Sequence, residues 1–252
     1  MIRIDKAALI GAGMIVQRPD CVLSYSVQTG QRDTDNIWDL LPNGYKKQYA
    51  NISSYVRYGL AASHGAWKDI PSVPAGEKGV YSGTALGGAP EVYTVQADVY
   101  AEKGISWMMP SMVMNKVPKT TADILTIEKK LLAGNLTLAG GRTSSGLALM
   151  QALDDIVHKE VSMALVVGAD SIDAPLRRAY IQLGLSPHRL TGGGCALCLC
   201  HPQFAPRKDT IAYLLSCSCT ADYPNSESNN GEKSHALYEY IRNVLYSANL
   251  RT

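Results

Sequence analysis

The chain has 252 residues, of which 46% are hydrophobic and 18% are charged, and this composition indicates a globular protein with a sizeable buried core. Its 24 basic and 22 acidic residues leave a formal net charge of +2, which argues against a nucleic-acid-binding surface. No apolar run approaches the ~20 residues that a membrane-spanning helix needs, so we expect a cytoplasmic protein without membrane contact.

The amino-terminal third predicts one strand and one helix. Residues 7–16 are apolar and predict a core strand. The amino-terminal segment is not interpreted as a signal peptide, because Asp5 interrupts its apolar stretch and no clear cleavage site follows. Residues 17–48 are turn-rich, and 51–67 predict a helix. A Pro/Gly-rich linker precedes a short predicted strand at 79–83.

The middle of the chain predicts two helices around a methionine-rich segment. A glycine-containing turn at 84–88 leads to a predicted helix at 89–103, where apolar residues recur at helical spacing. Residues 107–114 contain four methionines. A helix at 118–133 is predicted to open at Pro118 and to end at Gly134.

Residues 136–158 predict a strand, a sharp elbow and a helix. Such an elbow usually presents a nucleophile, because helix-end N–H groups stabilise a thiolate or an oxyanion. Thr143, Ser144 and Ser145 stand here instead, and the sequence has no cysteine between Cys21 and Cys195. The scaffold of a covalent catalyst is therefore predicted without its reactive sulfur.

The remaining pattern completes an α/β fold. It predicts a strand at 162–167 closed by residues 168–170, a helix near 175–183, a two-stranded hairpin of 193–201 with 210–219, and a last helix at 234–248. Alternation of helices with short apolar strands favours a largely buried sheet.

Six cysteines allow two interpretations. The spacing of the carboxy-terminal five is compatible with a metal site. We favour core packing, because Cys-x-Cys places both side chains on one face of a strand and these pairs lie in apolar runs. The cysteines are Cys21, Cys195, Cys198, Cys200, Cys217 and Cys219.

Residues 79–200 resemble the amino-terminal half of β-ketoacyl synthases, which have a thiolase-like fold. Five landmarks occur in the order found in that family: residues 82–88 (SGTALGG), 109–112 (MPSM), 139–146 (AGGRTSSG), 164–170 (ALVVGAD) and 190–197 (LTGGGCAL). The resemblance implies a single α/β domain over 1–252, with a mixed sheet, covering helices and a truncated carboxy-terminal half.

The elbow departs from the pattern of the active synthases. There it reads Thr-Ala-Cys-Ser/Ala-Ser-Gly, so the resemblance places Thr143 where those enzymes carry the nucleophilic cysteine. A threonine hydroxyl needs an adjacent base in order to attack. The family supplies two histidines from its second half, and the histidines of this chain lie outside such motifs: His64, His158, His188, His201 and His235.

The resemblance therefore implies a non-catalytic chain-length factor of a type II polyketide system, most similar to the short factors of aryl polyene clusters. Such a pseudoenzyme forms a heterodimer with a ketosynthase, whose substrate arrives on an acyl carrier protein, and bounds the tunnel for the growing chain. No cofactor is expected. Basic residues that could meet the acidic carrier are Arg177, Arg178, Arg189, Arg207 and Lys208.

The same resemblance assigns residues to the interface and to the tunnel. The interface would comprise Leu136, Thr137, Leu138, Ala139 and Arg142, with Arg142 meeting a partner residue, Asp170 or Glu128. The tunnel would be lined by Leu86, Ala89, Tyr93, Trp107, Met108, Met109 and Met112. We expect Leu86, Ala89 and Tyr93 to share one helical face, with Tyr93 as the floor of the tunnel; packing in a core explains the same stripe.

Two other functional classes remain open. One is an acyl hydrolase or transferase that uses Ser144 or Ser145, although Arg142 and Thr143 occupy the places of the leading glycine in a Gly-x-Ser-x-Gly elbow. The other is a metal-binding module built on the cysteines.

Overall fold

The computed structural model describes residues 6–17, 22–27, 29–107, 116–186, 190–215 and 217. Six helices and eight strands are assigned within these ranges. The helices are α1 Tyr45–Gln48, α2 Ser54–Ala66, α3 Ala89–Lys103, α4 Thr120–Lys129, α5 Ser144–Val157 and α6 Ala174–Gln182. The strands are β1 Ala7–Gln17, β2 Val22–Ser26, β3 Gly30–Thr34, β4 Lys78–Thr84, β5 Gly134–Ala139, β6 Met163–Asp170, β7 Gly193–Cys200 and β8 Ala212–Leu214.

The strands form one mixed sheet in the order β3-β2-β1-β7-β6-β4-β5, with β8 paired to β1. Strand β4 pairs in parallel with both β5 and β6, whereas β7 runs antiparallel to both β6 and β1. Within the described residues, β5 is therefore an edge strand, with β4 on one side of it.

Helices cover the sheet on both faces. Helix α2 packs against β1, β6 and β7, and a core cluster including Tyr55, Leu60, Leu165 and Val167 lies between them. Helix α5 packs on the opposite face, where Ala148, Ala152 and Ile156 lie in a cluster with residues of β4, β6 and β7. The amphipathic pattern of both helices thus places their apolar sides on the sheet.

Most predicted elements are confirmed, and three are corrected. The predicted hairpin is wrong: β7 lies between β1 and β6, and β8 pairs with β1. The turn-rich region contains the unpredicted hairpin β2–β3. Helix α4 is ten residues long: it begins at Thr120 rather than Pro118 and ends at Lys129, because Lys130 adopts a left-handed conformation. Gly134 begins β5. The predicted helix at 234–248 lies outside the described residues.

The cysteines follow the packing interpretation in part. Cys198 and Cys200 are buried in one cluster with Ile10, Ile70 and Met163, and burial raises the pKa of each thiol to about 12. Cys195 is exposed and Cys217 is half-buried. The described residues contain no group of three or more His, Cys, Asp or Glu side chains arranged to hold a metal ion.

Candidate functional site at the elbow between β5 and α5

The elbow turns the chain sharply from the edge strand β5 into α5. Gly141 has a φ of +87°, a conformation that a side chain disfavours, and Ser144 N donates to Gly141 O at 3.2 Å. Thr143 is the N-cap residue of α5, and its backbone carbonyl accepts from Leu147 N at 2.9 Å. The sequence places glycines where the turn needs them and a small polar residue at the helix start.

Close contact with the sheet fixes the first turn of α5. A Cβ on Gly83 of β4 would lie 2.4 Å from Ser145 N, and a Cβ on Gly168 of β6 would lie 2.4 Å from Ser145 Oγ. Neither strand could carry a side chain at these positions with the helix in this place. The two glycines therefore allow the helix N-terminus to sit directly on the carboxyl ends of β4 and β6.

The three hydroxyl groups of the elbow have different environments. Thr143 is exposed, and in the described part of the chain its hydroxyl has no hydrogen-bond partner. Ser144 is only 1% exposed; its Oγ accepts from Gly140 N and donates to Gly141 O, each at 2.8 Å. Ser145 is half-buried and makes one long contact, 3.4 Å from its Oγ to Gly83 O.

None of the histidines with assigned positions lies at the elbow. His158 follows the last residue of α5, about 20 Å along the helix axis from Thr143. His64 lies on α2, which covers the other face of the sheet. His201 follows Cys200, which pairs with Met163 at the far end of β6. His188 and His235 lie outside the described residues. No histidine of the described residues is therefore placed to act as a base for Thr143, Ser144 or Ser145.

Arg142 is exposed and is not paired with either carboxylate that the sequence offered. Asp170 accepts hydrogen bonds from Thr84 and Ala85, and Glu128 accepts one from Tyr45. Neither intramolecular pairing predicted for Arg142 is present among the ion pairs of the described residues, in which these two carboxylates are bonded to groups on other elements. The predicted contact of Arg142 with a partner chain stays a prediction.

The assigned interface residues lie together at the sheet edge. Leu136 and Leu138 turn toward the cluster under α5, while Thr137 points to the opposite face, with its Oγ1 2.8 Å from Ser82 Oγ. Ala139 is exposed beside the elbow. The backbone edge of β5 that faces away from β4 is unpaired within the described residues.

The assigned tunnel residues that can be placed lie at the surface. Leu86 is 41% exposed, Tyr93 76% and Trp107 57%, and Ala89 is half-buried. Helix α3 begins at Ala89, so Leu86 belongs to the preceding turn and the helical spacing does not extend to it. Met108, Met109 and Met112 lie outside the described residues.

The basic residues proposed to meet a carrier protein do not form one patch. Arg177 and Arg178 lie on α6, which follows the carboxyl end of β6. Arg207 and Lys208 follow the carboxyl end of β7. Because β7 runs antiparallel to β6, these residues lie beyond the opposite end of the strands. Arg189 lies outside the described residues.

Comparison with known proteins agrees with this arrangement. The sequence profile of the β-ketoacyl synthase amino-terminal domain matches residues 19–186, more than half of the chain. The chain belongs to the β-ketoacyl synthase family. No protein of curated function matches it by sequence. Among the described residues, no helix of this synthase-family chain is both long and apolar enough to cross a membrane.

Solved structures share the fold at low sequence identity. The structure described as the ishigamide ketosynthase/chain length factor superposes with a TM-score of 0.72 at 18% identity, covering 97% of this chain and 74% of the other. A β-ketoacyl synthase from Burkholderia phymatum STM815 gives 0.69 at 16% identity, covering 98% and 71%.

A third structure is a type II polyketide synthase acyl carrier protein in complex with its ketosynthase bound to the hexaketide. It gives a TM-score of 0.59 at 17% identity and covers 79% of this chain and 63% of the other. These superpositions establish a shared thiolase-like ketosynthase fold, and identities below 20% extend the likeness no further than the fold. This chain spans about two thirds to three quarters of the length of these relatives.

Proposed function

We propose that this chain is a non-catalytic chain-length-factor subunit, which pairs with an active ketosynthase and bounds the space for the growing polyketide chain. The observation that carries the proposal is Thr143, exposed at the helix start where active family members carry a cysteine. A threonine hydroxyl stays protonated near neutral pH and attacks only with help from a base. No described histidine lies at that end of the sheet.

The environments of Ser144 and Ser145 do not favour either serine as a nucleophile. Ser144 is buried, and its hydroxyl is committed to two backbone groups of the elbow. Ser145 lies under Gly83 and Gly168, with no titratable side chain bonded to it. The bonds of Ser144 support the shape of the elbow, and the environments of both serines favour the non-catalytic proposal over a hydrolase or transferase.

The open edge of β5 supports a role in assembly. An unpaired edge strand presents N–H and C=O groups that add readily to a strand from another chain. Leu136 and Leu138 would continue the apolar layer under α5 into such an interface, and Arg142 would meet a carboxylate of the partner. We assign this edge to the ketosynthase partner.

The exposed position of α3 supports a tunnel for the acyl chain that has α3 on one side and the ketosynthase partner on the other. No residue of α3 with an assigned side chain is buried, although the helix carries Tyr93 and Tyr100. Together with Leu86 and Trp107, these side chains would border the acyl chain at the interface. The finer assignment to the short chain-length factors of aryl polyene systems is part of the same proposal.

Co-expression with a ketosynthase encoded near its gene, or with one from another type II polyketide system, tests the pairing. We expect a stoichiometric complex on size-exclusion chromatography that forms carbon–carbon bonds when supplied with an acyl carrier protein. A chain that remains a folded monomer and captures no ketosynthase would refute the heterodimer.

Intact-mass spectrometry after incubation with acyl thioesters tests the absence of catalysis. The isolated chain should acquire no acyl group, whereas the ketosynthase partner should. An acyl adduct mapped to Thr143, Ser144 or Ser145 would overturn the non-catalytic assignment.

The substitution Ala89→Trp tests the tunnel separately. It adds a large ring at the first residue of α3 and should shorten the products of the complex. The matched control is Ala101→Trp, an exposed position in the last turns of the same helix, which should leave product length unchanged. Equal products from both variants would contradict only the tunnel assignment.

A further inference from the structure

The carboxylate of Asp170 binds the turn that connects β4 to α3. Asp170 is the last residue of β6, and its Oδ1 and Oδ2 accept from Ala85 N at 2.9 and 3.0 Å. Oδ1 also accepts a longer bond from Leu86 N, at 3.4 Å. Two successive backbone N–H groups therefore point at one carboxylate, an arrangement that suits a negative charge.

Thr84 extends this contact by one residue. Its Oγ1 donates to Asp170 Oδ1 at 2.6 Å and accepts from Gly87 N at 2.9 Å. Thr84 is buried, so the hydroxyl is shielded from water. The amides of Ala85, Leu86 and Gly87 are thus all held, directly or through one hydroxyl, by a side chain from a different strand.

The bonded turn determines where α3 begins. Ala89 N donates to Leu86 O at 3.2 Å, and Gly88 N donates to Lys116 O at 3.1 Å. Farther along, Glu91 Oε1 accepts from Ser54 N at 2.8 Å. Since no residue of α3 with an assigned side chain is buried, these polar contacts rather than apolar packing hold the start of the helix.

We infer that Asp170 is a positioning residue for product length. Its hydrogen bonds hold Leu86 and the first turn of α3 against the end of β6. In this way Asp170 positions one wall of the acyl tunnel without contacting the acyl chain. This inference rests on the proposed function. It names a residue that the assignment of tunnel-lining side chains does not include, because Asp170 lies on a different strand, about 80 residues along the chain.

The direct test is hydrogen exchange in Asp170→Asn. The asparagine keeps the size of the side chain, but it has one acceptor oxygen instead of two and its bonds are neutral rather than charge-assisted. We expect exchange of the Ala85 and Leu86 amides to accelerate about tenfold. The control Asp98→Asn makes the same chemical change at an exposed position of α3 and should leave both amides unchanged. Unchanged exchange in Asp170→Asn would overturn the inference.

Product length is the second readout, measured in the complex with the ketosynthase. Asp170→Asn should broaden or shift the distribution of product lengths, and Asp98→Asn should not. If Ala89→Trp shifts product length while Asp170→Asn leaves it unchanged, the positioning role is refuted and the proposed function stands. If neither variant shifts product length, the tunnel assignment fails as well.

A second pair of variants keeps the test decisive if Asp170→Asn does not fold. Thr84→Val removes the hydroxyl that links Asp170 to Gly87 N, whereas Thr84→Ser retains it. We expect faster exchange at the Gly87 amide and altered products for the valine variant, with near-normal behaviour restored by serine. Identical behaviour of the two variants would contradict the role of the Thr84–Asp170 contact.

Discussion

At the scale of single residues, Ser144 determines the shape of the elbow. Its hydroxyl bonds both Gly140 N and Gly141 O, and the side chain is almost fully buried. A buried donor left without a partner costs about 1–3 kcal/mol. The neighbouring Ser145 makes a single long bond and provides a matched comparison.

We therefore predict that Ser144→Ala lowers the free energy of unfolding by about 1–3 kcal/mol. Ser145→Ala should change it by less than about 1 kcal/mol. Urea denaturation of both variants measures the difference. Equal losses would show that the Ser144 hydroxyl does not support the elbow.

The sequence predicted the position of the elbow, but it could not predict which of the three hydroxyl groups is buried and hydrogen-bonded. Three adjacent small polar residues are equivalent as a pattern, since each can cap a helix or face solvent. Only the rotation of the first turn separates the exposed Thr143 from the buried Ser144. The same applies to Arg142, whose predicted carboxylates were bonded by Thr84, Ala85 and Tyr45, residues far away in the sequence.

At the scale of elements, α5 lies closer to the sheet than a helix usually can. Gly83 and Gly168 form a side-chain-free surface on two adjacent parallel strands, and they pair with each other in register. The N-terminal turn of α5 occupies that surface. This contact places Thr143, which directly precedes that turn, near the carboxyl ends of the strands.

Gly83→Ala should destabilise the chain by about 1–3 kcal/mol, because its methyl group would overlap the backbone at Ser145. Gly146→Ala is the control. A Cβ there meets nothing within 4 Å, and alanine favours a helix, so stability should stay equal or rise by up to about 1 kcal/mol. Thermal unfolding measures both. A tolerated Gly83→Ala would mean that the close contact is not required.

Local patterns predicted helices and buried strands well, and strand pairing poorly. The apolar periodicity of α2 and α5 is visible in sequence, as is the apolar run of β6. The partner of β8 is β1, some 200 residues earlier, and adjacency in sequence wrongly favoured β7. The hairpin β2–β3 was missed because β3 is polar and largely exposed, so it carries no alternating apolar signal.

A polar cluster joins α1, α2 and α4 on the face opposite the elbow. Lys129 Nζ donates to His64 Nδ1 at 3.1 Å, and the other ring nitrogen lies 3.0 Å from Tyr45 OH, which in turn donates to Glu128. Lysine can only donate, so Nδ1 accepts and the imidazole is neutral. Burial, aided by the charge of Lys129, lowers the pKa of His64 to about 4.

This lowered pKa predicts a loss of stability in mild acid. Between about pH 6.5 and pH 4 the unfolded chain protonates His64 while the folded chain does not, so stability is full above pH 6.5 and falls as the pH drops to 4. The loss from this residue should approach about 3 kcal/mol. Denaturant titrations of the wild type and His64→Gln over this range measure it; parallel pH profiles would contradict the assignment.

At the scale of the whole molecule, two features have no partner among the described residues. The outer edge of β5 and the exposed Arg142 lie on the same side, at the end of the sheet that also carries the turn bonded by Asp170. An edge strand exposed in this way invites unwanted association unless another chain covers it. One heterodimer interface would cover the edge and place Arg142 against a partner carboxylate.

Arg142→Glu separates this assembly role from folding. Because Arg142 is exposed and makes no ion pair in the described part of the chain, its reversal should change the free energy of unfolding by no more than about 0.5 kcal/mol. The affinity for the ketosynthase should fall at least tenfold, because a charge that faces a carboxylate would become repulsive. Size-exclusion chromatography and calorimetric titration of the two purified subunits measure the effect.

The matched control is Lys159→Glu, which reverses an exposed charge just beyond the other end of α5. It should leave the affinity within about twofold of the wild type, since long-range electrostatic effects on a distant interface are screened at physiological salt. If both reversals weaken the complex equally, the effect comes from net charge. If neither does, Arg142 lies outside the interface and the elbow edge of β5 is not where the ketosynthase binds.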